Sequence, residues 1–346
     1  MTSTGERLDT LGIWEATASL PEQVEDALDS AADLDGLPER SEIENVVVIG
    51  MGGSGVAGDV LLATAGPFMS VPVVVVKSYT LPAFVGEGSL VFAVSFSGNT
   101  SETVESVGEA AVQGARVVAV TNGGQLEKMA MSWGAPVIQV PRLPQPRTAL
   151  GAMAIPPLVV LEQVGLFPGA SQWIELAVEQ LKRRRDQLVA GQGPAREIAR
   201  RIGRTIPLVH SAGQLGVAAA NRWRTQINEN AKAPAFSSVY PELCHNEIQG
   251  WGQHGDVTRQ LITIVDLRHE SEHPQVSRRF ELANELVREV VVGIEELWAE
   301  GEGDLAQLLD LILIGDFVSL ELAAAEGIDP GPVPALDELK QRLQEG

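Results

Sequence analysis

Short apolar runs alternate with longer amphipathic stretches along most of the chain. Residues 1–40 are polar and helix-prone, with apolar positions at Leu8, Leu11, Ile13, Leu20, Val24 and Leu28; they predict one or two packing helices. The β-branched run Val46–Ile49 leads straight into the glycine turn Gly50–Gly55, which predicts a buried strand and a tight turn, with Val56–Ala65 as the following helix. Val73–Val76, Leu90–Val94 and Val117–Val120 are further strand candidates separated by helical stretches. Strands alternating with helices predict an α/β fold, a parallel sheet flanked by helices.

Prolines at 136, 141, 144, 146 and 156 mark the exit from this first unit. Ile155–Leu188 then reads as helical, and its charge run Lys182–Asp186 reads as a solvated helix face. Gly191-Gln192-Gly193-Pro194 is a break, after which the pattern restarts. Ile206–Val209 is a strand, His210–Gly216 a glycine-containing loop, Val217–Asn230 a helix, and Leu261–Val265 and Val290–Val292 later strands. The repeated order of strand, glycine loop and helix suggests an internal duplication. The expected organisation is packing helices over 1–40, a first domain over 41–152, a helical connection over 153–193 and a second domain over 194–346 that includes a C-terminal helix.

A chain of 346 residues suits two domains of ordinary size. With 46 acidic against 25 basic side chains, its net charge of −21 would repel nucleic acid and anionic membranes, so an anionic ligand must be held by local donors. The single cysteine, Cys244, excludes an intrachain disulfide, and residues 1–30 show no basic-then-apolar leader; a cytoplasmic protein is expected. The longest apolar runs, such as Ala152–Leu161, fall short of the ~20 residues a membrane span needs. Histidine and cysteine are too sparse for a structural zinc site, His269 and His273 read as a solvated surface pair, and no metal is expected.

Gly50–Gly55 satisfies G-x-G-x-x-G, so a dinucleotide fold competes. That fold wants an acid at the end of the second strand, but Val73–Val76 ends in Lys77-Ser78, which counts against NAD and leaves NADP open. The loop Ser95-Phe96-Ser97-Gly98-Asn99-Thr100-Ser101-Glu102-Thr103 changes the balance. Asn99 and Glu102 have capping-box spacing, but one cap needs one polar side chain, and here five hydroxyls stand at a helix start. Hydroxyls, free backbone N–H groups and a helix dipole at a strand's carboxyl end suit a phosphate. Without Gly-Lys-Ser/Thr the loop is no nucleotide P-loop; it suits a monophosphate held without magnesium.

Val91–Thr103 resembles the phosphate-binding segment of SIS (sugar isomerase) domains. Pro146–Gly151, Asn228–Phe236, Glu242–Ile248, Gly315–Ser319 and Asp329-Pro330 with Leu339-Lys340 resemble, in order, signatures of the bifunctional phosphoglucose/phosphomannose isomerase family. The resemblance implies two tandem SIS domains, each a three-layer αβα unit. It implies interconversion of glucose 6-phosphate, and of mannose 6-phosphate, with fructose 6-phosphate through an enediol, without a cofactor. It also implies a homodimer with a composite site in which the histidine comes from the neighbouring subunit. Carried onto this chain, Gly53, Ser54, Ser95, Ser97 and Thr100 would hold the phosphate of a hexose 6-phosphate. Arg147 would sit near the reacting carbons, Glu229 would be the proton-transferring base, His245 would assist ring opening, and Lys340 would line the site. Relatives often place a Thr before the final Lys, a residue linked to accepting both epimers; Gly331, Val333 and Ala335 occupy that stretch here. A non-catalytic SIS sugar-phosphate sensor would keep the loop but has no need of Glu229, His245 and Lys340 together.

These residue types suit the chemistry. Glu229 falls near the end of its helix, where the dipole and burial disfavour a charged carboxylate, as a general base near working pH requires. An imidazole such as His245 serves as both acid and base in ring opening, with Glu247 near enough in sequence to orient it. The Arg147 guanidinium offers a planar fork of donors to a developing enediolate. Phe236–Trp251 shows no strand or helix period and reads as a packed arm reaching across an interface through Phe236, Tyr240, Leu243 and Trp251.

Overall fold

A computed structural model describes residues 7–32 and 34–345. Residues 1–6 and 33 of the expected N-terminal helical segment lie outside the described residues; within the segment stand α1 (Ile13–Ala18) and α2 (Leu20–Ser30). The first α/β unit follows as β1 (Asn45–Ile49), α3 (Gly52–Thr64), β2 (Val73–Val76), β3 (Ser89–Ser95), α4 (Ser101–Val112), β4 (Arg116–Thr121), α5 (Gly124–Trp133) and β5 (Val137–Gln139). Its five strands are all parallel in the order β2-β1-β3-β4-β5. β1 and β3 are buried along their whole length, which explains their nearly unbroken apolar sequence: helices cover both faces.

The connection is helical, as expected over Ile155–Leu188. It is two helices, α6 (Leu150–Gln163) and α7 (Ala170–Val189), parted by a turn with Gly165 at φ 76° and Gly169 at φ 90°. Pro156 and Pro157 lie inside α6 and do not mark a boundary. The charge run is not a plain solvated face either. Arg184 is buried, and its Nε and Nη2 donate to Asp310 at 2.7 and 3.1 Å, while Lys182 and Arg185 reach Glu25 and Glu22.

The second unit contains α8 (Pro194–Ile202), β6 (Ile206–Ala212), α9 (Gly213–Gln226), β7 (Phe236–Tyr240), α10 (Glu247–Gly250), α11 (Gly255–Leu261), β8 (Ile262–Arg268), α12 (Pro274–Val287), β9 (Gly293–Trp298), α13 (Asp304–Ala325) and α14 (Pro334–Glu345). Its parallel strands run β7-β6-β8-β9, repeating the order of the first four strands of the other sheet, as a duplication predicts. The Phe236–Trp251 segment is therefore not an aperiodic arm. Its first five residues are an edge strand on β6, and Tyr240 and Leu243 are buried against Phe280. The last strand begins at Gly293, after Val290–Val292. His269 is buried with Nε2 2.9 Å from the Ala212 carbonyl, so it is no surface pair with exposed His273.

One continuous apolar cluster runs from Val24 of α2 through Val48, Phe92 and Leu158 to Trp223 of α9 and Ile314 of α13. Among the described residues no helix is long and apolar enough to cross a membrane; the apolar α13 is spent on this core. Gly315 sets how closely α9 and α13 approach. A Cβ there would fall 2.2 Å from Trp223 Nε1, the atom that donates to the Leu311 carbonyl at 2.8 Å. Gly315→Ala should therefore lower the unfolding free energy by about 1–3 kcal/mol, the usual cost of overpacking, as read by urea denaturation.

Candidate active site

In both sheets the strand order reverses beside the first strand of the unit, at β1 and at β6. In open α/β sheets ligands sit at such a switch point, outside the carboxyl ends of the strands. At β1 and β3 those ends carry the two glycine-containing loops. Gly52 has φ 53° and opens α3; Gly98 has φ 66°, and a Cβ there would collide with the Gly123 carbonyl at 1.7 Å. No other residue fits at Gly98 without moving the loop.

Of the loop hydroxyls, one joins the two loops and two others lie against each other. Ser54 Oγ accepts from the Phe96 amide at 3.1 Å, joining the two loops, and Ser95 Oγ lies 3.1 Å from Thr100 Oγ1. Ser54 and Ser95 are buried, Thr100 is half-buried and Ser97 is exposed. The expected Asn99–Glu102 capping box does not form. Thr100 is the N-cap and no side chain caps the helix: Asn99 bonds the Ser97 carbonyl and the Gln125 amide, and Glu102 accepts from Ser101. Met51, at the start of α3, gives no side-chain cap either. Two helix N-termini thus direct uncapped amides and positive dipole ends to one place. Lys77, at the end of β2, is bound to both oxygens of Asp59 at 2.5 and 2.6 Å and so is committed within the fold.

Gly53 brings the cradle to Arg147. A Cβ on Gly53 would lie 3.0 Å from the Arg147 amide, so the 146–148 turn rests directly on α3. Arg147 is 2% exposed, and its donors are mostly spent. Nε donates to Asn230 Oδ1 at 2.8 Å, Nη2 to the Pro330 and Gly331 carbonyls at 2.7 and 2.8 Å, and Nη1 approaches Glu229 Oε2 at 3.4 Å. Burial lowers the Arg147 pKa and the Glu229 carboxylate opposes that shift, but an arginine stays charged. Only Nη1 faces the Glu229 carboxylate.

Glu229 sits in a π-turn, Ile227–Ala231, that ends α9, the kind of local defect often found at functional sites. Its side chain is 26% exposed, and the burial expected from the sequence is only partial. Behind it Arg222 makes a bidentate pair with Asp316 at 2.9 and 2.8 Å and donates to the Arg147 carbonyl at 2.6 Å, while Asn230 donates to Ser319 at 2.9 Å. Sequence reading assigned no role to Asn230, Arg222, Asp316 or Ser319. The last two lie in the quoted Gly315–Ser319 motif, which was the available signal.

The structure does not bring His245 or Lys340 to this cluster within one chain. α9 runs back along β6, so Glu229 lies at the start of β7 while His245 follows its end. Five strand residues separate those ends by on the order of 15 Å. His245 is exposed, and Glu247 accepts a hydrogen bond from Ser238 instead of orienting the ring. Lys340 is exposed on α14, whose Leu336, Leu339 and Leu343 also face solvent. A surface cavity of about 460 Å³, lined by Gly108, Arg116, Trp133 and Pro136, lies at the opposite end of the first sheet and holds none of these residues.

Comparison with known proteins decides the family. The SIS domain matches residues 41–130, and the bacterial phospho-glucose isomerase C-terminal SIS domain matches residues 191–343. A bifunctional phosphoglucose/phosphomannose isomerase of Caldicellulosiruptor bescii is 34% identical over 337 residues, covering 96% of this chain and 99% of the relative. The chain belongs to the bifunctional phosphoglucose/phosphomannose isomerase family. Another family member, from Aquifex aeolicus, is 34% identical over 87% of this chain and 91% of its own. The fold is also similar to that of the C-terminal domain of glucosamine-fructose-6-phosphate aminotransferase from Francisella tularensis. That solved structure has a TM-score of 0.67 at 15% identity, covering 94% of this chain and 98% of that one, a likeness of fold.

Breaking a buried ion pair by removing one partner costs about 3–5 kcal/mol, because the other charge is stranded. Asp316→Asn should therefore destabilise the family member by about that amount in chemical denaturation. Arg222→Met combined with Asp316→Leu should recover much of the loss, giving a large coupling energy in the double-mutant cycle.

Proposed function

We propose that this protein interconverts glucose 6-phosphate and mannose 6-phosphate with fructose 6-phosphate. The observation that carries the reading is the contiguous line in one chain from an uncapped, hydroxyl-lined cradle through Gly53 and Arg147 to Glu229. The names of the relatives support the same reaction. A sugar-phosphate sensor has no use for a carboxylate held beside a buried guanidinium at the far end of a phosphate cradle.

In this reading Gly53, Ser54, Ser95, Ser97 and Thr100 bind the phosphate through amides and hydroxyls. Glu229 removes the proton from one of C1 and C2 and returns it to the other. Arg147 Nη1 opposes the charge that develops on the enediolate oxygens. Glucose and mannose 6-phosphate are C2 epimers and share the enediol, so one base serves both when the C2–C3 bond rotates. His245 opens the ring from the neighbouring subunit of a homodimer in the cytoplasm, and Lys340 lines the site. The separation of Glu229 and His245 along the second sheet supports the composite arrangement, as do the exposed leucines of α14 and Phe236, which a partner would cover.

A coupled assay with each aldose phosphate, following fructose 6-phosphate, tests the activity; no turnover of either would sink it. Glu229→Gln should lower kcat by roughly a hundredfold or more with little change in phosphosugar affinity, and a variant near the wild-type rate would remove Glu229 from the mechanism. Ser97→Ala with Thr100→Ala should weaken binding by ~1–3 kcal/mol per lost donor in calorimetry; unchanged affinity would make the loop a simple helix start. Glu229→Gln and His245→Ala homodimers should each be nearly inactive. A co-expressed heterodimer should regain about half of wild-type activity if His245 acts across the interface, and none if it acts within its own chain.

A further inference from the structure

The π-turn leaves backbone carbonyls without ordinary helical partners, and a lysine answers them. Lys232 ends the turn at φ 55°, one of two non-glycine residues with positive φ among the described residues. Its ammonium donates to the Glu229 carbonyl at 2.5 Å, to the Pro330 carbonyl at 3.0 Å and to the Asn230 carbonyl at 3.4 Å. Lysines often close helix C-termini through local carbonyls. The contact with Pro330, 98 residues on, is not local. The same Pro330 oxygen accepts from Arg147 Nη2 at 2.7 Å, so two cations converge on one carbonyl.

We propose that Lys232 is a positioning residue for the isomerisation: its ammonium ties the backbone of Glu229 to the Pro330 turn that anchors Arg147, and so fixes the distance between base and guanidinium. The inference rests on the reading that Glu229 and Arg147 act on the substrate. The tie crosses from the π-turn to the segment leading into α14, and among the described residues Arg147 is the one other side chain that bonds both. The ionisable groups around the ammonium are Arg147, Asp329 and Glu229. Burial lowers its pKa, Arg147 lowers it further, and the two carboxylates oppose them. A charged ammonium carries three donors; a neutral amine carries two and holds a carbonyl less firmly. The tie is complete while the ammonium is charged and weakens as pH rises through a value below that of an ordinary lysine, about 10.4.

The experiment uses the full-length protein and three variants, Lys232→Met, Lys232→Arg and Glu229→Gln. Lys232→Met should lower kcat on glucose 6-phosphate by about tenfold or more while KM stays within about threefold, because the phosphate cradle lies in the other unit. Lys232→Arg should keep most of the rate, and its alkaline loss of kcat should move to higher pH, since an arginine does not deprotonate there. A plain helix cap would lower the thermal midpoint yet leave the kcat of the folded variant and the alkaline limb where they were. The proposal is overturned by Lys232→Met with kcat within about twofold of wild type, or by Lys232→Arg with an unmoved alkaline limb. Failure of the underlying reading shows separately, as full activity in Glu229→Gln. If Lys232→Met does not fold, the pH profile of Lys232→Arg still decides.

Discussion

The buried pair between Arg222 and Asp316 is the joint on which the site depends. Arg222 sits on α9 and Asp316 on α13, and the guanidinium that joins them also donates to the backbone carbonyl of Arg147, far away in sequence. Taking two charges out of water is costly, and an apolar pair of the same volume would often be no less stable. What the ionic pair supplies is direction: two parallel N–H···O bonds fix the guanidinium plane, which leaves a donor aimed at one carbonyl. Arg147 is thereby held from behind by its own backbone and in front by Asn230, Pro330 and Gly331. Its remaining nitrogen, Nη1, approaches Glu229 Oε2 at 3.4 Å.

The same joint explains why the units share a core. α3 of the first unit packs against α9, α6 of the connection packs against α2 and α3, and α13 packs against α7, α8 and α9, so one apolar cluster passes between the sheets. Gly53, Gly315 and Gly331 allow close approaches around this joint, meeting Arg147, Trp223 and Leu11 respectively. Asp329 adds a tether, accepting from Thr10 and from the Gly331 amide; burial alone would raise its pKa, but these bonds hold it below the usual carboxylate range. A segment near each end of the chain is therefore fastened next to Arg147.

Duplication of the sheet did not duplicate the cradle. β6 is followed by Gly213 at φ 63° and α9, as β1 is followed by Gly52 and α3. The difference lies after the third strand. Where β3 leads into neutral hydroxyls, β8 leads into Arg268, Glu270 and Glu272, already bonded to one another or to Gln307. Acidic groups with their partners in place offer nothing to an anion. In a chain of net charge −21, local donors at one switch point have to overcome a repulsive field, and only the first unit provides them.

The sequence by itself determined the parallel α/β class, the repeated succession of strand, glycine loop and helix, and the loop chemistry of Ser95–Thr100. Each is written in local periodicity or in a run of neighbouring residues, and the strands are legible because both faces of them are buried. It also marked Arg147 and Glu229, through short motifs in a fixed order. Only the tertiary structure decided that Arg184 and His269 are buried, that Phe236–Tyr240 is an edge strand, and that Asn99 does not cap α4. Those outcomes depend on partners distant in sequence: Asp310 for Arg184, Ala212 for His269, β6 for the strand, the Gln125 amide for Asn99. Asn230, Lys232, Arg222 and Asp316 were invisible as a set for the same reason. The long-range packing that orients a buried polar group is not written in the residues beside it, and a glutamate and a histidine sixteen positions apart in sequence were carried to opposite ends of a sheet by one parallel strand.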